Sequence, residues 1–204
     1  MKIAVIGASG TIGRAVVELL GNDHEIVTLG ANSGDIRIDI RSRESVKTAF
    51  EQMGKVDAII NAVGELAFKP FGELNDEDWY VGIESKLLGQ VRVTEEAVNY
   101  LNDGGSVTLT TGIISDTPIA CGSSATAING AVESYAKAAA IEAPRGIRIN
   151  VVSPAMLEES KDTYGAFFPG FFAIPAKDVA QFYKRAVMGL ETGKTLKCFA
   201  GNPV

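Results

Sequence analysis

The chain has 204 residues, 46% of them apolar and 22% charged, and its 19 Lys plus Arg against 25 Asp plus Glu give a formal charge of −6. This composition excludes disorder and collagen-like repeats, and it leaves no basic face for phosphate backbones, so nucleic acid is not an expected partner. No 18-residue uncharged apolar run marks a membrane span, and the opening Met1-Lys2 runs through a short apolar stretch into Gly7, too soon interrupted for a signal peptide; the expected location is the cytoplasm, for one domain over 1–204.

Taken in chain order, compact apolar runs rich in β-branched residues predict strands over 2–6, 25–29, 36–39, 58–61, 106–110, 148–152 and 195–200. Between them, amphipathic spacing predicts helices. Over 11–20 it brings Ile12, Ala15, Val16, Leu19 and Leu20 to one face, and over 45–53 it does the same with Val46, Ala49, Phe50 and Met53. A long helix is predicted from Asp76 to about residue 101, and another over 123–143 whose small residues permit close helix approach. Apolar strands alternating with such helices imply an α/β fold: a Rossmann-like, doubly wound, seven-stranded parallel sheet flanked by helices in three layers.

The first strand leads directly into Gly7-Ala8-Ser9-Gly10-Thr11-Ile12-Gly13-Arg14, a G-x-x-G-x-x-G run that opens the first helix. Gly7 suits the tight turn, Gly10 lets backbone approach a pyrophosphate, and Gly13 allows close packing, while the helix N-terminus supplies amide donors and a favourable dipole. Ser9, Thr11 and Ile12 belong to the same candidate cradle. An acid at the end of the second strand would bind a ribose 2′-hydroxyl and repel a 2′-phosphate. That strand runs instead into Gly30-Ala31-Asn32-Ser33-Gly34, with no acid before Asp35. Neutral Asn32 and Ser33, with Arg14 nearby, favour NADP(H) over NAD(H), although the same residues also make an ordinary turn. Asp39-Ile40 and Asn61-Ala62-Val63-Gly64 then end the third and fourth strands, at the carboxyl edge where such sheets hold ligands.

On these residues the chain resembles the short-chain dehydrogenase/reductase family. The Gly-rich turn, Asp39 at the place of the family's adenine-contacting Asp, and Asn61-Ala62-Val63-Gly64 at that of its Asn-Asn-Ala-Gly motif all match. So do Asp78-Trp79 with Leu87-Leu88-Gly89, and most specifically Arg145-Gly146-Ile147-Arg148-Ile149-Asn150-Val151-Val152-Ser153-Pro154. The resemblance covers nearly the whole chain. It implies an NAD(P)-dependent oxidoreductase acting on a small carbonyl or alcohol substrate, Pro154 beside the cofactor, and a homodimer or homotetramer packed through the fourth and fifth helices.

The family works with an Asn, Ser, Tyr, Lys set, and here the pattern departs. Counting back from Arg145-Gly146-Ile147, the Tyr and Lys positions fall on Ser124 and Ile128, or on Ser123 and Ala127. Tyr135 and Lys137, two apart and about three turns further along, do not form the pair. The Ser position falls on Thr111 and the Asn position on Lys86; Ala155 follows Pro154, and Glu159 with Ser160 stands at the usual Thr. Two readings follow. In one, an atypical oxidoreductase uses Lys86 as the cation near the nicotinamide while Thr111 and Ser124 position a substrate oxygen. In the other, the chain is a non-catalytic dinucleotide sensor or scaffold. Each candidate also has a plain structural role open to it: a snorkelling lysine, a strand-end hydroxyl and a helix-start serine.

Other chemistry has little support. His24 is the only histidine and stands apart from any hydroxyl nucleophile, and no ligand set suggests a metal. Glu73, Asp76, Glu77 and Asp78 suit a helix start. Phe167, Phe168, Phe171 and Phe172 suggest either an apolar lid over the substrate or a packed corner or oligomer contact. Cys121 and Cys198, unpaired in spacing, are expected to be buried thiols.

Overall fold

The computed structural model describes residues 1–202, so the last two positions of the expected domain lie outside the described residues. Seven strands, β1 (Lys2–Ile6), β2 (Glu25–Gly30), β3 (Ile36–Arg37), β4 (Val56–Asn61), β5 (Leu101–Thr110), β6 (Arg148–Pro154) and β7 (Thr195–Cys198), form one sheet in the order β3-β2-β1-β4-β5-β6-β7. Every pairing is parallel. The order reverses between β1 and β4, and this switch point opens the crevice at the carboxyl edge of the sheet.

Two cores account for the three layers. Alternate residues of β1 point to opposite faces: Ala4 and Ile6 pack under α2 (Arg43–Met53), α4 (Leu88–Tyr100) and α5 (Ser123–Glu142) with Phe50, Val93 and Val132. Ile3 and Val5 pack under α1 (Thr11–Leu20) and α7 (Ala176–Met188) with Val16, Leu20, Val179 and Val187. Strands buried on both sides explain the near-continuous apolar runs.

Four elements differ clearly from the sequence expectation, the fifth strand by beginning at Leu101 rather than 106. The third strand stops at Arg37, because the Asp39 amide donates to Ser45 Oγ and the Asp39 carbonyl accepts from the Ser42 amide, which turns the chain into α2. The seventh stops at Cys198, and Ala200 takes a left-handed φ of 49°. The long helix expected from Asp76 is broken: α3 (Asp76–Gly82) passes through a π turn over Ile83–Leu87 before α4 begins. Such a turn carries one residue more per hydrogen bond than an α-helix, so it rotates the side chains that follow it. Lys86 lies inside it.

The remaining helix, α6 (Lys161–Tyr164), belongs to the segment between β6 and α7. The neck of that segment is closed by backbone bonds from Glu158 N–H to Ile174 O and from Ile174 N–H to Met156 O. Cys198 is buried as expected, and burial pushes its thiol up to about 12. Cys121 is not: it is half-exposed, in a left-handed turn with φ 62° that keeps its side chain out of the core.

Candidate functional site

Gly7 turns with φ +86°, and a Cβ there would stand 2.3 Å from Val63 Cγ1. A Cβ on Gly13 would stand 2.0 Å from the Gly7 carbonyl oxygen, so the first turn of α1 can lie against the loop only because position 13 has no side chain. Gly10 precedes α1 without a capping side chain, which leaves the first-turn amides of Thr11, Ile12 and Gly13 available to an anion. Arg14 folds back over this loop, its guanidinium donating to the Ser9 carbonyl at 2.6 Å.

A cleft of about 280 Å³ continues along the carboxyl edge, lined by Gly30, Ala31, Asp39, Ile40, Val63 and Gly64 among others. Both Asp39 carboxylate oxygens are held by Arg41, at 3.0 and 2.9 Å, and this pairing keeps Asp39 below the usual carboxylate range. The ligand-facing charge there is therefore shared with a cation that the sequence reading did not include; Arg41 lines the same cleft. Asn32 and Ser33 lie in the turn beyond β2, and the Ser33 carbonyl folds close over Gly30. Asp35 is turned back onto β2, accepting from both the amide and the hydroxyl of Thr28 at 2.9 and 2.8 Å. No carboxylate thus stands at the end of β2.

Asn61 is buried and its Oδ1 accepts from the Val63 amide, shaping the turn through Ala62 to Gly64. Gly64, at φ +144°, is crossed by Lys86: a Cβ on it would meet Lys86 Cδ at 2.4 Å. Lys86 is buried, and burial alone pushes its pKa down to about 8. Gln90, one turn along, clamps this helix to β5, donating to the carbonyls of Lys86 and Thr110 while accepting from the Thr110 amide. Thr110 Oγ in turn bonds Tyr183 Oη at 2.7 Å and donates to the Asn61 carbonyl. The end of β5 is therefore fixed from three sides.

Thr111 follows, and here the structure brings together residues that spacing did not. Its hydroxyl donates to Glu133 Oε1 at 2.9 Å, and the same oxygen accepts from Ser115 Oγ at 2.6 Å. Asn129, one turn before Glu133 on α5, is 1% exposed and its Oδ1 has no partner. Thr111 and Asn129, with Ser160 and Tyr164, are the polar residues lining a second cavity of about 230 Å³, whose walls include Ile12, Leu66, Phe68, Met156 and Phe168. Pro154, expected beside the cofactor, lines this apolar cavity.

Ser124 is a correction. Its hydroxyl is buried and donates to the Ala67 carbonyl at 2.9 Å, holding the 62–75 loop rather than facing Thr111. Ile128 points at α3, where a Cβ on Gly82 would meet its Cδ1 at 2.4 Å. The face of α5 that reaches β5 is set one residue on, at Asn129 and Glu133, and counting back through an irregular connection could not resolve a single step of 100°. Tyr135 packs beside Thr94 and Glu95 of α4, where burial raises its hydroxyl to about 12.

Glu159 caps α7, accepting from the Ala176 amide with both oxygens. Of the aromatic run, Phe168 lines the cavity and stacks edge-on with Phe171, whereas Phe172 is exposed. Asn75 and Asp78 form a capping box at the start of α3, with Asp78 also paired to Lys69. Among the described residues no metal-binding cluster occurs and no helix is long and apolar enough to cross a membrane.

Comparison with known proteins follows this geometry. A family model described as enoyl-(acyl carrier protein) reductase matches residues 10–180. An uncharacterized oxidoreductase of Methylorubrum extorquens is 27% identical over 190 residues, covering 80% of this chain and 77% of that protein. The 3-oxoacyl-acyl-carrier-protein reductase of Escherichia coli is 25% identical over 180 residues, covering 77% and 74%. Among solved structures, a Listeria innocua protein superposes with a TM-score of 0.95 at 50% identity, covering 97% of this chain and 98% of that one. A small-chain dehydrogenase in complex with NADPH shares the fold, with a TM-score of 0.89 at 24% identity over 98% and 97% of the two chains.

Proposed function

Since the chain belongs to the short-chain dehydrogenase/reductase family of oxidoreductases, we propose that it binds a nicotinamide dinucleotide, NADP(H) in preference to NAD(H), and acts on a small carbonyl or alcohol through a site that does without the usual Tyr and Lys. The observation that carries this reading is Lys86, a buried lysine whose aliphatic stem crosses Gly64 at the carboxyl edge and whose charge only burial perturbs. A desolvated cation with no ion-pair partner among the described residues calls for an electron-rich partner brought by the ligand.

The residues present fit a dinucleotide. Gly7 and Gly13 leave a cradle that side chains would fill, and the amides of Thr11, Ile12 and Gly13 would hold the pyrophosphate. Gly30, Asp39, Ile40 and Val63 would flank the adenosine end in the larger cleft. The absence of a free carboxylate after β2, together with Arg14 and Arg41, supports the 2′-phosphorylated form. Bound there, the nicotinamide supplies hydride transfer. The chain's own residues do the rest: Lys86 holds ligand oxygens by charge, and the Thr110 network fixes the strand end that presents Thr111.

Calorimetric titration with NADPH and NADH, followed by turnover against a panel of ketones, aldehydes and enones, tests the proposal. NADPH should bind more tightly and be consumed. Binding without consumption by any substrate would favour the sensor reading, and failure of both nucleotides to bind at millimolar concentration would overturn the proposal. Lys86→Met should weaken NADPH binding, and unchanged affinity and turnover would remove the lysine from it.

A further inference from the structure

We propose that Tyr164, carried by the segment between β6 and α7, is the catalytic acid of this site: its phenol holds the oxygen of a carbonyl substrate bound in the cavity beside Thr111 and gives that oxygen its proton. The proposal rests on the oxidoreductase reading above and names the residue that performs its proton step.

The cavity adjoins the dinucleotide cradle. Ile12, whose amide belongs to the first turn of α1, lines it together with Pro154, and among the described residues no charged side chain lies in its wall. A neutral carbonyl compound suits such walls, because an ion would lose its hydration there without gaining a counter-charge. Hydride arriving at the carbonyl carbon forms the new C–H bond and pushes the C–O π pair onto the oxygen. The dinucleotide is then oxidised, the carbonyl is reduced, and the oxygen needs a proton.

Among the described residues, the polar side chains of the lining are Thr111, Asn129, Ser160 and Tyr164. Thr111 donates its proton to Glu133 Oε1 at 2.9 Å, since a carboxylate can only accept. An amide and an aliphatic hydroxyl hold their protons far more tightly than a phenol does, which leaves Asn129 and Ser160 as hydrogen-bonding groups and Tyr164 as the acid. Other phenols stand elsewhere: Tyr183 is fully buried with its hydroxyl on Thr110, and Tyr135 lies against α4.

The fold holds Tyr164 in place and lets water reach it. The Phe68 ring packs against those of Tyr164 and Phe167, with centroids 6.4 and 6.0 Å apart. Phe68 belongs to the 62–75 loop, which Ser124 holds at the Ala67 carbonyl and which the Lys69 amide ties to the Cys121 carbonyl. Ser124 thus braces the loop on which Tyr164 rests. The far end of the segment is tied by Asn202, which accepts from the Phe172 amide and donates to the Phe172 carbonyl. Tyr164 is 45% exposed, so its phenolate regains a proton from water directly and needs no neighbouring lysine to relay one.

Tyr164→Phe is the test, with Tyr135→Phe as the control phenol outside the cavity. The substitution keeps the ring against Phe68, and NADPH affinity by calorimetry should match the parent's. Fluorine NMR then titrates each protein with 4-fluoroacetophenone in saturating NADP+, where no hydride is available and binding alone is read. The ketone should bind about fivefold more weakly to Tyr164→Phe, while Tyr135→Phe should match the parent. With NADPH and the best ketone of the panel, kcat should fall about a hundredfold or more in Tyr164→Phe, with KM for NADPH unchanged. Equal ketone affinity in the parent and Tyr164→Phe, no binding of the ketone to the parent at about 10 mM, or a kcat within about threefold of the parent's would overturn the proposal and leave the oxidoreductase reading standing. Failure of the parent to bind either nucleotide, or to consume NADPH with any substrate, overturns that reading and the proton step with it.

Discussion

The turn between β1 and α1 and the crook between β5 and α5 stand on the same edge of one sheet and are built in opposite ways. The first is made of backbone: Gly7 and Gly13 are defined by what cannot be there, at 2.3 and 2.0 Å from the nearest atoms a Cβ would meet. The second is made of side chains from separate elements, with Gln90 from α4, Tyr183 from α7 and Glu133 from α5 all converging on Thr110 and Thr111. A backbone site tolerates change around it as long as its glycines stay, whereas a side-chain site changes its chemistry when one partner changes. That contrast is how the proposed dinucleotide cradle and the proposed site beside it can differ independently.

The largest expected effect strikes the backbone half. Gly13→Val puts carbon into the Gly7 carbonyl, and should cost about 3 kcal/mol or more in denaturant unfolding and abolish NADPH binding. If it bound NADPH as the parent does, the proposed cradle would be misplaced. Next comes Lys86, which lies between the two halves. Its folded pKa of about 8 lies below its ordinary 10.5. Below about pH 8 both native and unfolded chains hold the proton, so the cost of burying the charge is felt in full. Between about 8 and 10.5 only the unfolded chain holds it, so stability rises with pH through that window. Lys86→Met should therefore stabilise the nucleotide-free protein by roughly 2–3 kcal/mol at pH 7, with the gain shrinking toward pH 10; urea unfolding at both pH values checks this.

Smaller effects sharpen the comparison. Tyr183→Phe removes one fully buried hydroxyl from the Thr110 network and should cost about 1–2 kcal/mol by thermal unfolding while sparing NADPH affinity, since it touches only the side-chain half. Arg14→Ala should do the converse, weakening NADPH about fivefold relative to NADH by calorimetry with little change in stability, because the residue is exposed and bonds only the Ser9 carbonyl.

How far each half could be read from the sequence follows from this difference. Strand-turn-helix context and glycine spacing are local, so the glycine turn, the order of elements and the doubly wound sheet were all legible from periodicity and turn residues. Lys86 and Thr111 could be picked out as candidates because each adjoins a recognisable run, Lys86 lying against Gly64 and Thr111 lining the second cavity. Ser124 was not: the register of α5 against β5 depends on the irregular 111–122 connection, and a one-residue error turns the helix face away. Asn129 and Glu133 left a faint signal, polar residues four apart on an otherwise small and apolar helix face. Arg41 left less, since only the early end of β3 carries it into the cleft with Asp39.

By itself the sequence determined the layers, the parallel sheet and the glycine turn after β1, because these rest on the period of apolar residues and on the absence of side chains at particular positions. Only the tertiary structure decided what Thr111 offers to a ligand. A hydroxyl accepts or donates according to its neighbour, and that neighbour, Glu133, is twenty-two residues away along the chain and 2.9 Å away in space.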